Sequence, residues 1–236
     1  MIAGGILAGG VGKRMGYTEL PKQFLTLGQR PIIVHTVEKF LMSGKFDKVI
    51  IGCVKSYVDH TRDILKKHIG EDDRIVVIEG GADRNGTIAN IIAHMRALGA
   101  DDGSILVSHD AVRPFVSTRI LEDNIAAAER SGVCDTAIPA YDTIVRTKDG
   151  RFLDEIPVRS EFWRGQTPQS FRIKYFEDDY GALSDEDKQI LTDACKIFVL
   201  AGRKVEIVEG EPYNMKVTTP YDLKIGEAMV SEVLDD

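Results

Sequence analysis

Short runs of apolar, mostly β-branched residues recur along the chain: IAGGILAGG (2–10), DKVIIGCV (47–54), RIVVIEGG (74–81), GSILVSHDAV (103–112) and CDTAIPA (134–140). Their hydrophobic positions are nearly continuous, not alternating, which is how strands covered on both faces read. Helical signals lie between them. Pro31 takes a first-turn position ahead of Ile32, Val34, Val37, Phe40 and Leu41, with Gly44 as the stop. Thr219, Pro220 and Asp222 read as the N-cap, first-turn proline and acidic N3 residue of a last helix. Thr192 caps a helix over 193–202, with Gly202 near its end. Strand, helix, strand in repetition predicts a doubly wound α/β fold on a mostly parallel sheet.

The segment YDTIVRTKDGRFLDEIPVRSEFWRGQTPQ (141–169) breaks this rhythm. Asp149-Gly150 between TIVRT and RFLDEI is the signal of a type I′ hairpin, so 141–169 reads as a β-arm protruding from the sheet. There is no internal repeat, and 236 residues suit a single domain over 1–236.

Composition narrows the class. The chain is 43% hydrophobic and 28% charged, without the apolar run of ~20 residues that a membrane span needs, so a soluble protein is expected. The N-terminal segment lacks the basic region and cleavage site of a signal peptide, which points to the cytoplasm. Cys53, Cys134 and Cys195 are odd in number and far apart, the pattern of buried free thiols and not of a zinc site or disulfide framework. A net charge of −7 argues against nucleic acid as a partner, so any anionic ligand needs a local cluster of cations.

Such a cluster surrounds GILAGGVGKRMGYTELPKQF (5–24), where Lys13, Arg14 and Lys22 accompany the glycines. Glycines after a first strand let backbone N–H groups close around phosphate oxygens. The glycines alone are equally the mark of a tight strand-to-helix turn. A P-loop is absent, because Gly12-Lys13 is followed by Arg14, and the spacing and missing acidic ribose ligand disfavour a dinucleotide fold.

The combination AGGxGxRM followed by PKQF, then GGADRNGTI (80–88), HDAVRPF (109–115), DTIV (142–145), PVR (157–159), QTPQSF (166–171), LTDA (191–194) and NMKVTTPYDL (214–223), resembles the polyol phosphate cytidylyltransferases, those of methylerythritol phosphate and ribitol phosphate. The likeness spans residue 5 to about residue 225. Related guanylyl- and adenylyltransferases usually carry an acidic residue before the lysine, where this chain has Pro21. The resemblance implies a Rossmann-like nucleotidyltransferase in which a polyol phosphate attacks the α-phosphorus of CTP and expels pyrophosphate. Preorganised cations carry such chemistry. A phosphate monoester, second pKa ≈ 6, is already ionised at neutral pH and needs no general base. The five histidines accordingly form no His-based triad motif.

By the same resemblance Arg14, Lys22 and Lys216 are the catalytic cations, and Asp110 is the ligand of a Mg²⁺ ion. Leu7, Ala8, Gly9, Gly10, Gly12 and Lys13 surround the triphosphate. Gly80, Gly81, Arg84 and Thr87 serve the nucleotide on the cytosine side, and His109 and Arg113 support the loop. Thr167 and Thr192 touch the acceptor phosphate. Thr143 and Arg159, on the arm, complete the site of a second subunit, so a homodimer with shared active sites is implied. Trp163 is an interface anchor or a core residue. As to the acceptor, GQTPQSF, LTDACKIF and Val112 in HDAVRP resemble the ribitol 5-phosphate branch, whose product, CDP-ribitol, serves wall or surface polymers such as teichoic acid. The methylerythritol 4-phosphate branch is the alternative.

Overall fold

The computed structural model describes residues 1–10, 20–189, 191 and 193–234. Its strands are β1 (Ile2–Ala8), β2 (Thr26–Leu27), β3 (Arg30–Pro31), β4 (Lys48–Cys53), β5 (Ile75–Glu79), β6 (Ile105–Asp110), β7 (Val133–Pro139), β8 (Trp163–Arg172) and β9 (Glu206–Glu209). The helices are α1 (Ile32–Ser43), α2 (Val58–His68), α3 (Arg84–Ala97), α4 (Thr118–Ser131), α5 (Ile173–Ala182), α6 (Asp185–Gln189), α7 (Cys195–Leu200) and α8 (Pro220–Leu234). Among the described residues the main sheet has seven strands in the order β5-β4-β1-β6-β8-β7-β9. β1 pairs in parallel with β4 and β6, β4 with β5, and β7 with β9. β8 runs antiparallel to both β6 and β7. The Rossmann-like, mostly parallel architecture expected from the hydrophobic runs is therefore present.

Both faces of the sheet are covered, which is why the strands read as continuous apolar runs. In β4, Val49, Ile51 and Cys53 join the core formed with α1, α2 and α4. The intervening Ile50 joins the core formed with α3, α5 and α7. Alternation is present, but both faces bury apolar residues, so it leaves no polar mark. Glycine lets helices approach closely: a Cβ on Gly4 would stand 2.5 Å from the Phe40 ring, and one on Gly52 would stand 2.5 Å from the Thr87 methyl.

The helix signals hold with small offsets. α1 starts at Ile32, because Pro31 ends β3 and takes the cap position, and Gly44 closes it with φ +66°. At α8, Thr219 Oγ1 accepts from the Asp222 N–H at 3.2 Å while Asp222 Oδ2 accepts from the Thr219 N–H at 2.8 Å, a reciprocal capping box. Thr192 lies outside the described residues; at α7 it is Asp193 Oδ1 that accepts from the Cys195 N–H, at 2.8 Å. All three cysteines are buried free thiols. Among the described residues no helix is long and apolar enough to cross a membrane.

The arm differs from its expectation in two ways. Residues 163–169 are not part of it; they belong to β8, an interior strand, so the exposed excursion is 141–162. Nor is its turn type I′, which needs positive φ at both central residues. Gly150 has φ +73°, but no described non-glycine residue has positive φ. Instead Asp149 Oδ1 accepts from the N–H groups of Arg151 (2.8 Å) and Phe152 (3.1 Å), an Asx turn, and the hairpin closes on one bridge between Arg146 and Glu155.

Candidate active site

The C-terminal ends of β1 and β6 open onto a cleft of about 480 Å³, the place where open α/β sheets hold ligands. Leu7, Ala8, Gly9 and Gly10 form one wall, and Gly81, Arg84 and Thr87 another. Lys22, Asp110 and Lys216 also line it. Gly80 lies beside this wall, its N–H bonded to the Cys53 carbonyl at 2.7 Å. Gly12, Lys13 and Arg14 lie outside the described residues.

Asp110 is the electrostatic centre. Its Oδ1 accepts from Arg84 Nη1 at 2.5 Å, and its Oδ2 faces Lys216 Nζ at 3.0 Å and Arg113 Nε at 3.3 Å. Burial alone would push this carboxyl up, yet Arg84, Lys216 and Arg113 hold it well below the usual carboxylate range. One carboxylate against three cations leaves a local surplus of two positive charges in a chain whose net charge is −7. That surplus is the attraction offered to phosphate oxygens.

The backbone around Asp110 is fixed by a second set of bonds. The Asp110 N–H donates to Thr167 Oγ1 at 3.1 Å, and the Thr167 hydroxyl lies 2.9 Å from His109 Nδ1. His109 Nε2 lies 3.0 Å from the Arg113 carbonyl, which can only accept, so the ring carries its proton on Nε2 and Nδ1 accepts from Thr167. Burial lowers the imidazole to about 4, in keeping with a neutral ring. Thr167 is thus buried behind the strand, with its hydroxyl used in both directions. Its expected place on the acceptor phosphate does not match this structure: the side chain supports Asp110 instead.

The nucleotide wall owes its shape to steric limits. A Cβ on Gly81 would stand 2.3 Å from the Gly86 backbone, so only glycine lets this loop reach the start of α3. Thr87 Oγ1 accepts from the Gly81 N–H at 3.0 Å and donates to the Asp83 carbonyl at 2.8 Å. Asp83 caps α3 by accepting from the Gly86 N–H at 2.7 Å. Across the cleft, Gln23 Nε2 donates to the Ala8 carbonyl at 2.8 Å, tying the turn that carries Lys22 to the end of β1. Phe24 anchors that turn against Tyr57 and His60, with ring centroids 5.4 and 4.8 Å away.

Thr143 and Arg159 do not line this cleft. Both are exposed on the arm, where Arg159 Nη1 donates to the Tyr141 carbonyl at 2.8 Å beside a separate cavity. Sequence reading did not single out Gln23, Asp83 or Gln169. Their signal is that they lie inside the motifs PKQF, GGADRNGTI and QTPQSF.

The donor sets do not fit a protein-held Mg²⁺. Both oxygens of Asp110 already face cationic N–H donors, and an ion there would meet three positive groups. Asp135, Asp193 and Cys195 bring ligand atoms within 4.8 Å of one another. However, Gln169 Nε2 donates to Asp135 Oδ1 at 3.1 Å and to Asp193 Oδ2 at 2.6 Å, and a thiol is a poor ligand for so hard an ion.

Comparison with known proteins bears on this geometry. The sequence model of the IspD family, 2-C-methyl-D-erythritol 4-phosphate cytidylyltransferase, matches residues 2–232. The 4-diphosphocytidyl-2C-methyl-D-erythritol synthase of Anaerococcus prevotii is 27% identical, with a TM-score of 0.78 over 98% of this chain and 96% of that one. The 2-C-methyl-D-erythritol 4-phosphate cytidylyltransferase of Francisella tularensis is 24% identical, with a TM-score of 0.78 over 96% of this chain and 98% of that one. Its counterpart from Thermus thermophilus is also 24% identical, with a TM-score of 0.74 over 98% of this chain and all (100%) of that one.

Proposed function

Because this chain belongs to the 2-C-methyl-D-erythritol 4-phosphate cytidylyltransferase family, and is a cytidylyltransferase acting on a polyol phosphate, we propose that its acceptor is 2-C-methyl-D-erythritol 4-phosphate. The names of the family and of its similar structures support this acceptor over the ribitol 5-phosphate favoured by motif spelling. Ribitol 5-phosphate is the second reading, and Val112, which lines the cleft, together with the LTDACKIF segment speaks for it.

In either case an acceptor phosphate oxygen attacks the α-phosphorus of CTP, the bond to the β-phosphate bridge breaks, and pyrophosphate leaves. Charge builds on the α-phosphoryl oxygens and the leaving group, so fixed cations in place beforehand are what lowers the barrier. The observation that carries the proposal is the cluster of Arg84, Arg113 and Lys216 around one carboxylate at the glycine-ended strand. Lys216 and Arg113 have positively charged nitrogens beside Asp110, and the acceptor phosphate exchanges for it as their partner. Lys22 serves the triphosphate, a role the sequence resemblance gives to Arg14 as well. The family is in general dependent on divalent metal, and the metal neutralises triphosphate charge when bound. Because the protein's carboxylates do not fit it, every assigned step uses side chains alone.

The arm belongs to the same proposal. Phe152, Leu153, Ile156 and Val158 are all at least 60% exposed on 141–162, a surface that a second copy would cover in a homodimer. Thr143 and Arg159 would then complete the partner's acceptor site. Pyrophosphate release from CTP with each acceptor in turn tests the assignment: release with 2-C-methyl-D-erythritol 4-phosphate is expected, and release with ribitol 5-phosphate alone would move the chain to the second reading.

A further inference from the structure

Gln169 is fully buried and all three of its amide positions are used. Oε1 accepts from Arg84 Nη2 at 3.1 Å, and Nε2 donates to Asp135 Oδ1 at 3.1 Å and to Asp193 Oδ2 at 2.6 Å. A flipped amide would set N–H against guanidinium and oxygen against two carboxylates, so the partners dictate one orientation. Arg84 is in turn held by few bonds. Nη1 meets Asp110 and Nη2 meets Gln169, while its Nε is buried without a hydrogen-bond partner. The backbone of Gln169 is equally fixed: its carbonyl accepts from Ser108 Oγ at 2.9 Å, and β8 pairs it with Ser108 of β6 and Asp135 of β7. One side chain therefore joins α3, β7 and the segment leading into α7.

We propose that Gln169 is a positioning residue for cytidylyl transfer: its oxygen aims Arg84 at Asp110, and its nitrogen ties Asp193, ahead of α7, to the same point, so the cation cluster and that segment face the cleft in one arrangement. Gln169 touches no substrate. It acts through Arg84, whose guanidinium lines the cleft. The donor and acceptor pattern makes the inference testable by an exchange. Gln169→Glu turns donors into acceptors against Asp135 and Asp193. Asp193→Asn sets a donor against a donor. Together the two changes restore a match at that contact, with the new carboxylate still accepting from Arg84 and sharing a proton with Asp135, whose carboxyl burial already pushes up.

The test measures kcat, the KM for CTP and thermal unfolding in four proteins: wild type, the two single variants and the double variant. Each single variant is expected to lose about ten-fold or more in kcat while remaining folded, and the double variant to return to within about three-fold of wild type. Singles within two-fold of wild type, or a double variant whose loss is the product of the singles, would overturn the inference. Should Gln169→Glu fail to fold, Gln169→Met keeps the volume and removes the polarity, and a folded methionine variant with unchanged kcat overturns it equally. The inference rests on the cytidylyltransferase reading for its assay. If the wild type turns over neither acceptor, that reading fails, and the same four proteins are compared by CTP binding in calorimetry, where the same reciprocal pattern is expected and its absence is fatal.

Discussion

The end of β6 and the arm at 141–162 differ in how many bonds hold each residue. At β6, Asp110 has its carboxylate among three cations, its N–H on Thr167, and a buried imidazole closing the loop to Arg113. The arm has an Asx turn, one bridge and an exposed pair between Arg146 and Glu155 at 2.9 Å, with apolar side chains facing outward. The bonds of the first region all lie within a single chain. The other sets exposed apolar side chains among many charged ones. In this molecule charge is preorganised where the chain is densely bonded, and the proposed contact with another copy is left to the sparsely bonded part.

The widest test of that contrast is Lys216→Ala. Its ammonium lies in the dense region, so turnover should fall by about 10²-fold or more with thermal unfolding little changed, since removing one preorganised charge-stabilising group costs this much. Near-normal turnover would remove the cleft from the chemistry. Next comes Arg159→Ala on the arm. It should leave the stability of the separate chain within ~0.5 kcal/mol, yet lower turnover, and mixing it with a Lys22→Ala variant should recover activity through hybrid dimers. Absence of recovery would confine each site to its own chain.

The last test concerns two groups of opposite sign, one buried and one half-buried. His109, lowered to about 4 by burial, binds a proton in the unfolded chain before it does in the folded one, so its contribution to stability is lost as pH falls below about 6.5. Asp135, raised to about 7 by burial and by Asp193, behaves in reverse: the folded chain keeps a proton that the unfolded chain has released, and stability declines as pH rises from 4 to 7. Asp135→Asn removes the second effect and keeps an acceptor for Gln169. Its melting temperature relative to wild type should therefore climb by roughly 5 °C or more between pH 5 and pH 7.5. A difference that does not vary with pH would show that the Asp135 carboxyl titrates normally.

The five strands read from apolar runs are all present, because their residues are apolar on both faces of a sheet covered by helices, whether central as in β1, β4 and β6 or at the edge as in β5. β8 was not legible. WRGQTPQSFR carries Thr167, Gln169 and Ser170 at buried positions, where they bond to His109, Arg84 and Asn124, and Pro168 in its middle argues against an interior strand. A polar interior strand looks like a loop when its partners are unknown. The Asp149-Gly150 turn was located correctly but typed wrongly, since the Asp149 side chain supplies the bonds that a second positive φ would otherwise provide. In the site, Asp110, Lys216 and Arg113, three residues after Asp110, are visible as charges in motifs, whereas the approach of Arg84 and Lys216 to Asp110 depends on contacts between β6, α3 and the chain beyond β9 that no local pattern encodes.

The place of β8 has a consequence for the time at which the fold forms. Within the sheet β7 pairs with β8 and β9, which both follow it in the chain, and β6 waits for β8 on its open side. As the chain emerges from a ribosome, β7 thus stays detached until Arg172 has been made, and β6 exposes an unpaired edge of the kind that attracts other strands. The arm is the tether that must loop back for β8 to enter. Loop closure depends only weakly on length, about 0.6 kcal/mol for each doubling, so changes in the arm would alter when the sheet closes more than how firmly it stays closed.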